Sequence, residues 1–193
     1  MGTELEWKYA ADEKTLRLVA ERYGGQNWRV IEMESLYFDT PARDLGQRRW
    51  TLRLRRENGV GVVCLKTPGT GRARGEWEVR CEDPRAALPL LAAEGAPSEL
   101  AALTGGQTLE PVCGARFTRR AALLPLPGDG TVELCLDAGE LFSGERRAPL
   151  CEVEAELKSG EPEEAERFAQ ALAAQYGLRE EPESKFRRAS RLA

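Results

Sequence analysis

The feature that most constrains this chain is a repeated two-residue alternation in which one side is apolar and the other is ionic rather than merely polar. It is clearest in Glu4-Leu5-Glu6-Trp7-Lys8. Strand side chains alternate faces with a period of two, so Glu4, Glu6 and Lys8 share one face and Leu5 and Trp7 take the other. In Trp50 to Glu57, Leu52 and Leu54 oppose Arg53 and Arg55, and Val62-Val63-Cys64-Leu65-Lys66 adds Lys66. Arg74, Glu76 and Glu78 oppose Trp77 and Val79, while Glu133, Cys135 and Asp137 oppose Val132, Leu134 and Leu136. The last strand repeats the first: Glu152, Glu154, Glu156 and Lys158 fall on one side. Each strand alone reads equally well as a salt-bridged, half-solvated surface. Taken together they do not, because an ordinary solvated face would mix in serine, threonine and glutamine.

The remaining segments supply cover. Asp12 caps a helix to about Tyr23, closed by Gly24-Gly25, with Leu16, Val19, Ala20 and Tyr23 as its apolar stripe. A strand runs from Val30 to Phe38 and stops at Pro41, and Asn58-Gly59 marks a hairpin. Asp83-Pro84 opens an Ala/Leu-rich helical stretch to Leu103, expected to break near Pro89 and Pro97. Arg116 to Leu123 pairs with Thr131 to Asp137 across Pro127-Gly128-Asp129-Gly130; periodicity leaves open whether Arg116 or Arg119 points with the acids. Pro162 begins a helix to Tyr176, capped by Gly177. Glu183 to Arg188 reads as a short helix or strand, and Arg187, Arg188 and Arg191 as a solvated end. With no linker or repeat, residues 1–193 are expected to form one domain.

Composition excludes several function classes. The absence of histidine removes Ser-His and Cys-His catalysis and imidazole metal ligation. Five scattered cysteines with no Cys-x-x-Cys pair argue against a disulfide frame or zinc site and for a reducing cytoplasm. No apolar run approaches the roughly 18 residues of a membrane span, and the charged N-terminus is unlike a signal peptide. A pI near 5.2 with no basic stripe argues against nucleic acid.

About eight strands with one ionic face, and helices with apolar stripes to bury, are most economically arranged as a closed antiparallel barrel, charges inside and helices outside. Like charges crowded in a lumen need neutralising. Clustered carboxylates suit a hard divalent cation, and clustered arginines and lysines suit phosphate oxygens. A metal together with a polyphosphate satisfies both halves.

These residues resemble the CYTH superfamily, the triphosphate tunnel metalloenzymes, whose signature Glu-x-Glu-x-Lys is matched by Glu4-Leu5-Glu6-Trp7-Lys8. The likeness continues in order through Leu52-Arg53-Leu54-Arg55, Lys66, the Arg74/Glu76/Glu78 strand, Glu152 to Lys158 and Lys185. It implies an α+β fold with an eight-stranded antiparallel tunnel. Lys8, Arg53, Arg55, Lys66, Arg74, Arg119, Lys158 and Lys185 would bind triphosphate. Glu4, Glu6, Glu152 and Glu154 would hold Mg²⁺ or Mn²⁺. Glu76 and Glu78, with Glu156 or Asp137, would complete a second cation or orient water, and Glu6, Glu76, Glu78 and Lys8 would take part in catalysis. The branch most similar, particularly in Tyr37-Phe38-Asp39-Thr40-Pro41 and Glu152 to Gly160, is the bacterial inorganic triphosphatases, which act on tripolyphosphate. Thiamine or nucleoside triphosphatase, class IV adenylyl cyclase, and a non-catalytic polyphosphate or nucleotide sensor are the alternatives. Trp7 and Trp77 fall on the apolar parity, which places them in packing rather than against a base. A monomer or homodimer acting on a small molecule, without nucleic acid or membrane, is expected.

Overall fold

A computed structural model describes residues 5–25, 27–68 and 74–193, and of Arg74 the backbone only. Glu4 and the Arg74 side chain thus lie outside the described residues. In chain order the elements are β1 (Glu6–Ala10), α1 (Glu13–Arg22), β2 (Arg29–Asp39), α2 (Asp44–Gln47), β3 (Thr51–Glu57), β4 (Val60–Pro68), β5 (Arg74–Arg80), α3 (Pro84–Ala93) and α4 (Glu99–Thr104). There follow β6 (Glu110–Pro125), β7 (Thr131–Ser143), β8 (Arg146–Ser159), α5 (Pro162–Tyr176), β9 (Arg179–Glu180) and α6 (Lys185–Ser190).

Local chemistry sets the boundaries. The Asp12 carboxylate accepts a 2.7 Å bond from the Thr15 amide and so caps α1. Asn58 and Gly59, at φ +49° and +85°, make the left-handed pair that a tight β3–β4 turn requires. Gly177, at φ +62°, ends α5. Pro89 does not break α3: the helix runs through it to Ala93, and the chain turns at Gly95, φ +87°. Pro89 is the sixth residue of α3, so the helix runs on although it lacks one interior N–H and the proline ring crowds the carbonyl of Arg85.

The strands form one sheet in the order β5-β4-β3-β2-β6-β7-β8-β1-β9, each neighbouring pair antiparallel. This gives nine strands rather than eight, and among the described residues the sheet is not closed. The reason lies at β1. Its free edge is taken by the segment after α5, with Tyr9 opposite Glu180, Ala10 opposite Arg179, and the Glu181 amide on the Lys8 carbonyl at 2.9 Å. A β5–β1 pairing would need those same backbone groups.

The apolar parity is buried as the alternation predicts. Under α1 and α5 lie Tyr9, Val132, Leu134, Leu136, Val153 and Ala155, with Trp7 packed against them. Under α2, α3 and α4 lie Leu52, Leu54, Val63 and Leu65, joined by Trp77 and Val79. A third, smaller cluster sits on the opposite face beneath α6: Met33, Tyr37, Ala115, Phe117, Leu141 and Leu150 meet Ala189 and Phe186. Burial at about 25 cal/mol per Å² makes these three layers the main source of stability.

One polar residue organises the β2–β3 connection. Asp39 is buried, and its carboxylate accepts from the amides of Thr40 (2.8 Å), Leu45 (3.0 Å) and Gly46 (2.9 Å). These bonds seat α2, whose Leu45 is fully buried in the core. Asp39→Ala strands three amides and is expected to lower stability by about 2–4 kcal/mol, read as a shift in the thermal unfolding midpoint.

Candidate active site

Opposed residues in an antiparallel pair share a face. Following the register across the sheet, Glu6 opposes Glu156, Lys8 opposes Glu154, Glu152 opposes Asp137 and Asp137 opposes Arg119. On the other wing Tyr37 opposes Arg53, Arg53 opposes Cys64, Cys64 opposes Glu78, Lys66 opposes Glu76 and Pro68 opposes Arg74. Ile31 opposite Arg119 and Tyr37 opposite Cys113 join the wings. Every strand residue singled out from the sequence that is described therefore lies on one sheet face. The question left open between the two arginines resolves for Arg119. Arg116 faces the other way, ion-paired to Glu34 at 2.8 Å.

The first wing is acidic. Asp137, Glu152 and Glu154 are buried and each offers an oxygen within 4.8 Å of the others. Arg119 grips both Asp137 oxygens at 2.7 Å and also meets Glu154. Lys185, carried over this face by α6, reaches Glu154 at 2.7 Å and Asp137 at 2.9 Å, and bonds Glu152 as well. Burial alone would raise the Glu154 carboxyl, but Lys185 and Arg119 outweigh it and hold it near 2. Burial likewise opposes the Lys185 charge, yet Glu154, Asp137 and Glu152 keep its ammonium protonated far above the usual lysine range.

Glu6 stands at the rim of this group with its side chain partly open to solvent. Crowding by the surrounding protein, and then the Glu154 charge, push its carboxyl up to about 7. The sign follows: the folded chain holds this proton to about 7, whereas the unfolded chain releases it near 4.5. Metal-free protein should therefore lose stability as pH rises through that interval. In Glu6→Gln, which cannot ionise, this loss should be missing, so its melting temperature should gain on the native protein's between about pH 5 and pH 8. A constant difference across that range would contradict this assignment.

The second wing is basic with carboxylate partners. Glu78 lies 3.8 Å from both Arg53 and Arg55, and Lys66 is 2.9 Å from Glu76. The Nε–H groups of Arg53 and Arg55 are buried without an acceptor among the described residues, although Arg55 Nε is 3.1 Å from Glu57 Oε1. Cys64, Glu76 and Glu78 form a second possible ligand group. Burial pushes the Cys64 thiol up to about 12, and it donates to Glu76 at 3.3 Å, so it remains a thiol.

Three predicted residues stand apart from the acidic group. Glu156 is neutralised by Lys158 at 2.7 Å, and Lys158 also meets Glu133 at 3.2 Å, a pairing at the sheet's rim. The Lys8 ammonium is turned to the Glu183 carbonyl at 2.6 Å. Two residues were missed. Arg188, expected in solvent, is bonded to buried Glu152 and lies 3.6 Å from Glu181. No strand periodicity could place it, because α6 brings it. Tyr37 is buried between the wings beside Arg53, its ring 4.9 Å from that of Phe186. Its parity with Arg53 was the available signal.

The oxygen-only donor set of Asp137, Glu152 and Glu154, one carboxylate from each of three positions, fits a hard divalent cation better than a thiophilic one.

The chain is 29% identical to an inorganic triphosphatase of Haemophilus influenzae over 156 residues, 74% of this chain. It spans 42% of that relative's length. Among solved structures it resembles a Hippeastrum adenylyl cyclase candidate described as having a dominant triphosphatase activity, with TM-score 0.62 and 19% identity over 96% of this chain and 94% of that one. A Pyrococcus horikoshii protein, PH1012, matches with TM-score 0.55 and 21% identity over 95% and 98%. The CYTH domain model matches residues 2–190, and the chain belongs to that family.

Proposed function

We propose that the chain is a metal-dependent triphosphatase that hydrolyses inorganic tripolyphosphate to pyrophosphate and phosphate, its 193 residues acting as one catalytic unit. The observation that carries this reading is the buried Arg53 Nε–H, without an acceptor among the described residues, beside Arg55, whose Nε–H makes no hydrogen bond although Glu57 lies 3.1 Å away, on the same sheet face as three clustered buried carboxylates. Buried donors left unsatisfied cost about 1–3 kcal/mol each, and an anion rich in oxygens relieves that cost. The inorganic triphosphatase activity of the Haemophilus relative supports the same substrate class.

In this reading Arg53, Arg55 and Lys66 grip one part of the triphosphate, and Lys8, Arg119 and Lys185 the other, with Arg74 and Lys158 at the margins. Arginine forks and ammonium groups hold the chain in line and offset the charge that develops on the leaving phosphate. Asp137, Glu152 and Glu154, with Glu4 and Glu6, would hold Mg²⁺ or Mn²⁺; when bound, the ion would neutralise phosphate oxygens as a Lewis acid. Glu156 stays with Lys158 at the rim of the site. Glu78 is the more loosely paired of the two carboxylates on β5, at 3.8 Å from its arginines, and orients the attacking water and receives its proton. Glu76, tied to Lys66, fixes that lysine toward the phosphate. Trp7 and Trp77, packed on the opposite face, offer no platform to a base.

The test compares initial turnover of tripolyphosphate, ATP and thiamine triphosphate at equal concentration. Tripolyphosphate should be turned over at least tenfold faster than either organic ester. A preference for ATP with release of cyclic AMP would replace this reading by a cyclase, and binding without turnover would make the protein a sensor.

A further inference from the structure

Charge balance in the acidic group is already complete without a metal. Three buried carboxylates, Asp137, Glu152 and Glu154, are met by three cations: Arg119 from β6, and Lys185 and Arg188 from α6. The Lys185 ammonium contacts an oxygen of all three, and the same three residues form the only group of three buried carboxylates among the described residues that could hold a metal. An ammonium and a divalent cation cannot both occupy that centre: at about 4 Å a single and a double positive charge repel by about 8 kcal/mol even at an effective dielectric constant near 20.

We propose that Lys185 is an exchangeable internal counter-ion: it fills the cation position in the metal-free protein, and metal entry displaces it. Arg188 then has a different task. Among the described residues its acidic partners are Glu152 and Glu181, the latter outside the group of three, so it keeps α6 seated while Lys185 leaves. The apolar contacts of Phe186 with Tyr37 and of Ala189 with the sheet give α6 a second anchor that the exchange does not break. The released ammonium points into the face where the proposed triphosphate lies, so metal loading would convert Lys185 from a carboxylate partner into a phosphate partner. This inference rests on the acidic group holding the cation, and not on which triphosphate is hydrolysed.

The probe is Mn²⁺ alone, titrated into purified full-length protein and followed by the electron paramagnetic resonance signal of the free ion. Lys185→Met should melt lower than the native protein without metal, bind Mn²⁺ at least tenfold more tightly, and gain more in melting temperature on binding. Lys185→Arg, which keeps the charge, should return to native-like affinity. A fixed structural ion pair predicts the lower melt without the tighter binding, and that result overturns the proposal. Should Lys185→Met fail to fold, the native protein decides. Amine-reactive labelling read by mass spectrometry should leave Lys185 protected without metal and modify it at saturating Mn²⁺; equal labelling in both states overturns the proposal. Tripolyphosphate hydrolysis measured alongside separates the two readings. Hydrolysis without exchange sinks the counter-ion alone, and exchange without hydrolysis sinks the assigned activity alone.

Discussion

Glu154→Gln is expected to lower tripolyphosphate turnover by about a thousandfold, roughly 4 kcal/mol of transition-state stabilisation. Glu154 is buried, faces Lys8 across β1, and joins Arg119 to Lys185. The amide has the same shape but cannot bring negative charge to a cation. The substitution also leaves two buried cations short of a partner, which should cost about 3–5 kcal/mol of stability in the metal-free protein. The two effects separate by measuring turnover well below the variant's own melting temperature, with circular dichroism confirming the fold. Glu156→Gln is the paired control. Its carboxylate is held by Lys158 at the rim, away from the Asp137 group, so turnover should fall tenfold at most. Equal losses in the two variants would move the cation toward the rim and away from the buried group.

The second large effect is expected at Arg53, where activity and stability should part company. Arg53→Met removes a buried guanidinium whose Nε–H has no acceptor among the described residues and whose nearest described carboxylate, on Glu78, is 3.8 Å away. Its loss should lower kcat/KM by at least a hundredfold, because Arg55 alone then supplies a planar fork beside Glu78 among the described residues. The same change should leave the melting temperature unaltered or raise it, since an apolar side chain of similar length relieves an unmet desolvation cost. Arg53→Lys should recover only part of the activity, restoring charge without the planar donors. A variant that loses stability in step with activity would show that Arg53 is a structural ion-pair partner instead.

The site was legible in the sequence to the extent that strand parity governs it. Period-two alternation depends only on the pleat, so it groups the ionic residues within each strand, and burial of the opposite, apolar parity sets the register that brings Glu6, Lys8, Arg53, Lys66, Glu76, Glu78, Asp137, Glu152 and Glu154 to one face. The apolar parity was equally readable, because helices must cover it, and Trp7 and Trp77 lie where it put them. Three things were beyond parity. Closure depends on which segment captures the free edge of β1, and the Arg179–Glu181 stretch that does so shows no strand pattern over its short length. Arg188 reaches Glu152 from a six-residue helix whose docking depends on tertiary contacts of Phe186 and Ala189, not on periodicity. Pro89 reads as a helix breaker from local chemistry, yet α3 runs through it to Ala93, and its N-terminal distance does not account for that.

The central claim is that this face hydrolyses one anhydride bond of tripolyphosphate with the aid of a divalent cation. The most direct measurement is ³¹P nuclear magnetic resonance of tripolyphosphate incubated with the purified protein and Mg²⁺ or Mn²⁺, beside a sample containing EDTA. The account predicts phosphate and pyrophosphate appearing in equal amounts with metal, no further breakdown of pyrophosphate on that timescale, and an unchanged spectrum with EDTA. An unchanged spectrum with either metal, or undiminished hydrolysis in EDTA, would contradict it.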